Sequence, residues 1–162
     1  MAETRCGIGF DVHPFALGRK LILGGVEVEF HLGLAGHSDA DVLTHAIIDA
    51  LLGAAGLGDI GRHFPDTDPK YKDIASLLLL RDTAAILDRE GWQVVNIDAT
   101  IVAQRPRLAE YIDTMRQKLA VVMALDITQV NIKATTTEKL GFTGREEGIA
   151  ALAVTSILKT SV

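Results

Sequence analysis

The stretch Ile149-Ala150-Ala151-Leu152-Ala153-Val154-Thr155-Ser156-Ile157-Leu158 decides the fold. Its length and apolar content suit a buried helix or a buried strand, and periodicity alone does not separate them. The β-branched Ile149, Val154, Thr155 and Ile157 favour a strand. A second apolar stretch, Val94 to Ala103, and a third, Val130 to Thr136, also read as strands. Arg5 to Phe10 reads as a first strand running into the polar tip Asp11-Val12-His13. Leu21-Ile22-Leu23 and Val26-Glu27-Val28 flank Gly24-Gly25, a two-residue hairpin signal. Three helical patterns lie between these strands. The first starts near Ser38 as N-cap, with Asp39 and Asp41 in its first turn. Its stripe is Val42, Leu43, Ala46, Ile47, Ala50 and Leu51, and Gly53, Gly56 and Gly58 end it. The second runs from Ile74 to Arg89, and the third from Pro106 to Met123. Strands alternate with helices, but the early hairpin makes the sheet mixed. The expected class is α+β, one domain over residues 1–162, with a mixed sheet packed against helices.

Composition bounds what this domain can do. The chain has 162 residues, 48% hydrophobic and 23% charged, with a net charge of −5. Mean hydropathy is +0.25. That content excludes intrinsic disorder. The longest apolar run, Leu119 to Leu125, falls well short of the ~18 residues of a membrane span, so no membrane is expected. A domain of ~150 residues buries only about 70% of its unfolded surface, so the apolar excess points to a subunit interface. The acidic balance argues against nucleic acid, which needs a basic stripe. Cys6 has no partner for an internal disulfide and suits a reducing compartment, and Met1 to Phe10 lacks the layout of a signal peptide. The expected location is the cytoplasm.

Several residues carry chemistry. Asp11 and His13, two apart on a strand, share one face. Taken alone they are a solvated strand end. His45 lies roughly 150° from the centre of the first helix's apolar stripe, so it is no core histidine. Asp41 and Asp49 stand four residues to either side of it. It is either a surface histidine or a metal ligand whose second ring nitrogen a carboxylate orients. Asp11, His13 and His45 together make a three-ligand N/O set with one position open, as in catalytic zinc sites, although manganese and iron fit the same ligands. His37 and Ser38, at that helix's start, can cap it or bind an anion, and His37 can also ligate metal. Thr135, Thr136 and Thr137, followed by Glu138, Lys139, Gly141, Gly144 and Arg145, suggest a phosphate pocket. Glu138 fits there if a divalent cation lies between carboxylate and phosphates. Phe64, Pro65, Asp66, Thr67 and Asp68 read as a turn or as a hydroxyl-binding loop. No P-loop, dinucleotide-binding, zincin or nucleophile-elbow motif is present.

The segments GFDVH ending at His13, GHSDADVLTHA from Gly36, DALLGAAGLGDIGRHFPDTDP from Asp49 and KATTTEKLGFTGREEGIA from Lys133 resemble the 2-C-methyl-D-erythritol 2,4-cyclodiphosphate synthase family, in order and over nearly the whole chain. The resemblance implies a reaction of the non-mevalonate isoprenoid pathway. The 2-phosphate of 4-diphosphocytidyl-2-C-methyl-D-erythritol 2-phosphate attacks the β-phosphorus of its own diphosphate, releasing CMP. By motif it implies zinc on Asp11, His13 and His45, and Mg²⁺ or Mn²⁺ held by Glu138. It implies that His37 and Thr136 position the phosphates and stabilise the transition state. Ser38, with Asp59, Ile60 and Gly61 and with Phe64, Pro65, Asp66, Thr67 and Asp68, would form the methylerythritol phosphate pocket. Ala103, Gln104, Arg105, Pro106, Arg107, Leu108 and Ala109, with Thr135, Thr137, Phe142 and Arg145, would form the cytidine and phosphate pocket. Arg105 departs from the small residue that relatives often carry there. The resemblance also implies a homotrimer with its sheets toward the axis and active sites between subunits. An axial cavity there would hold an isoprenoid diphosphate, with Arg145 and Glu147 near its polar end. Two other readings of the same residues are a zinc phosphohydrolase acting on nucleotides and a non-enzymatic isoprenoid-diphosphate sensor.

Overall fold

In a computed structural model describing residues 3–159, the deciding stretch is a strand, Gly148–Lys159, at the middle of the main sheet. Residues 1–2 and 160–162 of the expected domain lie outside the described residues. In chain order the elements are β1 (Glu3–Ala16), β2 (Leu21–Leu23), β3 (Val26–Val28), β4 (Gly33–Leu34), α1 (Val42–Ala55), α2 (Ile60–His63), α3 (Ser76–Arg89), β5 (Trp92–Val102), α4 (Ile112–Met123), β6 (Val130–Thr135), α5 (Gly141–Gly144) and β7 (Gly148–Lys159). The five-stranded sheet has the order β4-β1-β7-β5-β6, and β2-β3 is a separate hairpin. β7 runs antiparallel to β1 and β5, while β5 and β6 are parallel. The sheet is mixed and the class is α+β.

Strand alternation explains the choice against a helix. Ile149, Ala151, Ala153, Thr155 and Ile157 are buried, and Leu152 and Val154 are exposed on the other face. Across the ladder, Gly7 faces Thr155, Gly9 faces Ala153, Asp11 faces Ala151 and His13 faces Ile149. This stripe of small side chains lets α1 lie close against the sheet. A Cβ at Gly9 would stand 1.9 Å from the Ala46 carbonyl oxygen, and one at Gly7 2.0 Å from that of Ala50. The close approach brings His45 on α1 to the end of β1.

α1 is covered on more sides than its stripe indicates: Ile48 and Leu52 are buried as well, and α3 and β2 also pack against the helix. Its start also differs from the sequence reading. Ser38 is not the N-cap; Asp41 is, and Ala40 precedes it in a left-handed conformation with φ of 56°. The reason is tertiary. The Asp41 carboxylate accepts from the backbone N–H of Thr44 at 3.0 Å, Gly24 at 2.9 Å and Gly25 at 2.7 Å, and from the Thr44 hydroxyl at 2.8 Å. One buried carboxylate thus joins the helix start to the β2-β3 turn, where Gly24 and Gly25 both take positive φ. Burial pushes the Asp41 carboxyl up from its ordinary value, and these donors offset part of that.

Two other segments depart from expectation. Pro106 does not open the third helix, since residues 103–108 instead cross the end of the sheet, the Ala103 N–H donating to Thr135 at 2.9 Å. A 3₁₀ turn at Ala109–Tyr111 then leads into α4. The stretch around the expected Phe64–Asp68 turn is flanked by α2, capped by Asp59, and by a 3₁₀ turn at Pro69–Tyr71, capped by Asp68.

Candidate metal centre and adjoining pockets

The residues of β1 that face α1 continue past the glycines as Asp11 and His13. Asp11 Oδ2 lies 2.9 Å from His13 Nε2 and 3.1 Å from His45 Nδ1, and the two nitrogens are 3.3 Å apart. Tetrahedral zinc with bonds of about 2.0–2.1 Å needs ligand atoms about 3.3 Å from one another. The triangle is therefore close to one face of a tetrahedron, with the fourth corner open. Among the described residues this is the only such group of three or more His, Cys, Asp or Glu side chains able to hold a metal ion. His37 is not part of it.

The electrostatics suit a cation. Burial raises the Asp11 carboxyl, but hydrogen bonds from His13 and His45 outweigh it and hold the pKa at about 2. Burial lowers His13, but Asp11, the Ala35 carbonyl and Asp41 together outweigh it and raise it above its ordinary value. His13 Nδ1 donates to the Ala35 carbonyl at 2.7 Å, which leaves Nε2 facing the corner. Neither expected carboxylate serves His45. Asp41 is committed to its cap, and Asp49 accepts from the Ile60 N–H at 2.7 Å, tying α1 to α2. The second nitrogen of His45 instead meets Ser76 Oγ at 2.8 Å and Ser38 Oγ at 3.1 Å.

A pocket of about 370 Å³ opens from this corner. His37, Ser38, Ile60, Gly61, Phe64, Pro65 and Asp66 line it, as do Tyr71 and Leu79, which the sequence reading missed. Tyr71 packs edge-on to Phe64 with ring centroids 5.5 Å apart, a contact made only in the folded chain. Asp59 serves as a helix cap, and Asp68 pairs with Lys70 at 3.4 Å; neither lines the pocket, nor does Thr67. Arg19, also missed, donates to the carbonyls of Gly36 at 3.2 Å and Ser38 at 2.6 Å, pinning the loop that carries His37.

A second pocket, about 480 Å³, lies at the ends of β5 and β6. Ala103, Gln104, Pro106, Arg107, Leu108 and Ala109 line it with Ile112, Asp113, Ala134, Thr135 and Thr136. Arg105 lies outside it, 4.0 Å from Glu146. Gln104 accepts from the Lys139 N–H at 3.0 Å, which ties the threonine loop to this rim. Thr137 is engaged inside that loop, donating to Leu140 at 2.6 Å, so its hydroxyl supports the turn. Glu138 is exposed, with φ of 52°, beside Thr136. Phe142 is exposed and Arg145 pairs with Glu147 at 2.8 Å. The two pockets share no lining residue. Across the ladder Asp11 aligns with Ala151, Ile101 and Ala134, which puts β1 and β6 about 14 Å apart at ~4.8 Å per strand.

The sequence matches the YgbB family over residues 4–158. The chain belongs to the YgbB family. Its YgbB relatives include the 2-C-methyl-D-erythritol 2,4-cyclodiphosphate synthase of Syntrophomonas wolfei, 63% identical over 153 residues, 94% of this chain and 98% of that one. Among solved structures, the bifunctional IspDF of Campylobacter jejuni superposes with a TM-score of 0.95 at 45% identity. That alignment covers 99% of this chain and 44% of the bifunctional one. A CDP complex of IspF from Plasmodium falciparum superposes with a TM-score of 0.85 at 28% identity, covering 98% of this chain and 97% of the other. Among the described residues no helix of this YgbB chain is long and apolar enough to cross a membrane.

Proposed function

We propose that this chain converts 4-diphosphocytidyl-2-C-methyl-D-erythritol 2-phosphate to 2-C-methyl-D-erythritol 2,4-cyclodiphosphate with release of CMP. The observation that carries the reading is the convergence of Asp11, His13 and His45 on one open corner beside the His37–Ser38 loop, in a chain so similar to named synthases. The half-buried N₂O donor set and its spacing fit zinc, and Glu138 is the residue to hold Mg²⁺ or Mn²⁺ on the substrate's phosphates. When bound, these ions supply positive charge that offsets the repulsion of a phosphate approaching a diphosphate.

The chain's own residues do the positioning. Ile60, Gly61, Phe64, Pro65 and Asp66 hold the methylerythritol phosphate against the metal corner, with Ser38 beside it. Ala103 to Ala109 and Thr135 hold the cytidine end. His37 and Thr136 donate to phosphate oxygens between them. No general base is required, because the attacking phosphate oxygen is already anionic near neutral pH. Alignment of that oxygen with phosphorus can supply about 7–11 kcal/mol.

The working unit is a homotrimer, in which one subunit's metal pocket meets its neighbour's cytidine pocket. Support comes from the outer face of the sheet. Ile8 lies opposite Val154 and Phe10 opposite Leu152, and all four are exposed, Ile8 by 70%. Such a contiguous apolar face marks an interaction surface. Three sheets facing one axis would cover it and leave Arg145 and Glu147 near one end of a cavity for an isoprenoid diphosphate. The exposed thiol of Cys6 suits a cytoplasmic setting.

Incubation with the substrate and Mg²⁺ in ¹⁸O-labelled water tests the reading. Release of CMP with an unlabelled cyclic diphosphate is the expected outcome. A linear, ¹⁸O-labelled product would make the protein a hydrolase.

A further inference from the structure

Behind His45 lies a half-buried polar chain that ends on a carboxylate. Asp39 accepts from the Ser76 N–H at 3.0 Å, from the Asp41 N–H at 3.2 Å and from the Ser76 hydroxyl in a short contact. Ser76 is fully buried at the first turn of α3. Its Oγ lies 2.8 Å from His45 Nε2.

Donor counting assigns the protons. The Asp39 oxygens already accept from two backbone N–H groups, and the single Ser76 hydroxyl proton goes to the same carboxylate. Ser76 Oγ then has only lone pairs to offer, so its 2.8 Å contact with His45 is an Nε2–H donation, and Ser38 Oγ, 3.1 Å from the same nitrogen, is a second acceptor of that proton. A neutral imidazole protonated on Nε2 carries its lone pair on Nδ1, the atom that faces Asp11 and His13. His13 reaches the same end through the opposite nitrogen, since the Ala35 carbonyl accepts from its Nδ1.

We propose that Ser76 and Asp39 are positioning residues that fix the tautomer and ring orientation of His45, presenting Nδ1 to the metal. The role rests on the metal-site reading of Asp11, His13 and His45. It also explains why no carboxylate touches the second ring nitrogen of His45: the carboxylate acts through a serine brought in from α3. Partners of this kind typically contribute about 10–100-fold to metal affinity.

Cobalt binding to the full chain tests it, read by the visible absorption of Co²⁺ and by competition with a chelator of known affinity. Ser76→Ala should weaken Co²⁺ binding about 10–100-fold and change the absorption band. Ser76→Thr, which keeps the hydroxyl, should bind within a few-fold of wild type. Asp39→Asn should weaken binding as well, because the amide can leave the Ser76 proton free to turn toward Nε2. In metal-stripped protein, long-range ¹H–¹⁵N correlation spectra should show His45 as the Nε2–H tautomer, and a mixture in Ser76→Ala. A merely structural serine would lower the melting temperature and leave metal affinity alone. Wild-type protein that binds no Co²⁺ would overturn the metal site itself. Wild-type binding matched within twofold by both Ser76→Ala and Asp39→Asn would overturn the positioning role alone.

Discussion

The metal corner and the cytidine-side rim are built in opposite ways. Asp11, His13 and His45 come from a strand and a helix packed backbone to backbone, and half-buried hydrogen bonds to the Ala35 carbonyl and to Ser76 hold the two histidines. The rim at Ala103–Ala109 and Thr135–Thr137 lies where the chain leaves β5 and β6, its polar side chains exposed or half-buried and tied by single contacts such as Gln104 to Lys139. The corner is complete within one chain. The rim lines a separate pocket that shares no residue with it. Metal positions demand fixed geometry, and rigid elements provide it better than loops do.

The largest effect should come from breaking the corner. His45→Ala should remove bound zinc and lower turnover at least about 100-fold, comparable with deleting a major electrostatic stabiliser. Glu138→Ala, on the rim side, should weaken Mg²⁺-dependent turnover while zinc content, measured by atomic absorption, stays at the wild-type level. Zinc lost in both variants would erase the distinction between the regions.

Next is Gly9→Ala. Its new Cβ would collide with the Ala46 carbonyl, so α1 must shift from the sheet. The expected cost is about 1–3 kcal/mol in chemical denaturation, with weaker metal binding because His45 moves with α1. Arg107→Ala sharpens the comparison from the other side. It should raise KM about tenfold by loss of a charged contact to the diphosphate, with melting temperature and zinc content unchanged.

The smallest effect concerns Asp98 on β5. The hydrogen-bonded Lys133 ammonium, 2.6 Å away, lowers its carboxyl from the ordinary value, against a smaller upward effect of burial. A depressed carboxylate contributes stability that is present above the unfolded pKa of ~3.9 and is lost as pH falls through the lower folded value. The pair is exposed, so its contribution is within about 0–1 kcal/mol. Lys133→Ala should therefore lower stability slightly at pH 7 and converge on wild type below about pH 3, as followed by thermal melts. A difference that persists unchanged to pH 2 would mean that the lysine acts by packing.

Much of the architecture was legible because periodicity is local. The β-branched residues of Ile149–Leu158, the Gly24-Gly25 turn and the α1 stripe each signal their own element. The grouping of Asp11 with His13 follows from strand alternation, and the addition of His45 from its place off the apolar stripe. What could not be read were choices made between distant segments. Ser38 has the chemistry of an N-cap, but Asp41 takes that place because the hairpin turn offers it two more donors. Asp41 and Asp49 are the right spacing from His45 on a helical ridge, yet each is committed elsewhere. Pro106 suits a first helical turn, but its segment is drawn along the sheet end by the bond between Ala103 and Thr135.

By itself the sequence determined the main strands and helices, the α+β class and three candidate donor residues, since side-chain type and spacing act over a few residues. Only the tertiary structure decided that two glycines let α1 close onto β1, that a serine from α3 stands behind His45, and that the two pockets share no wall. Those depend on burial and on hydrogen bonds between groups far apart in the chain, where each donor and acceptor is claimed by whichever partner the packing brings nearest.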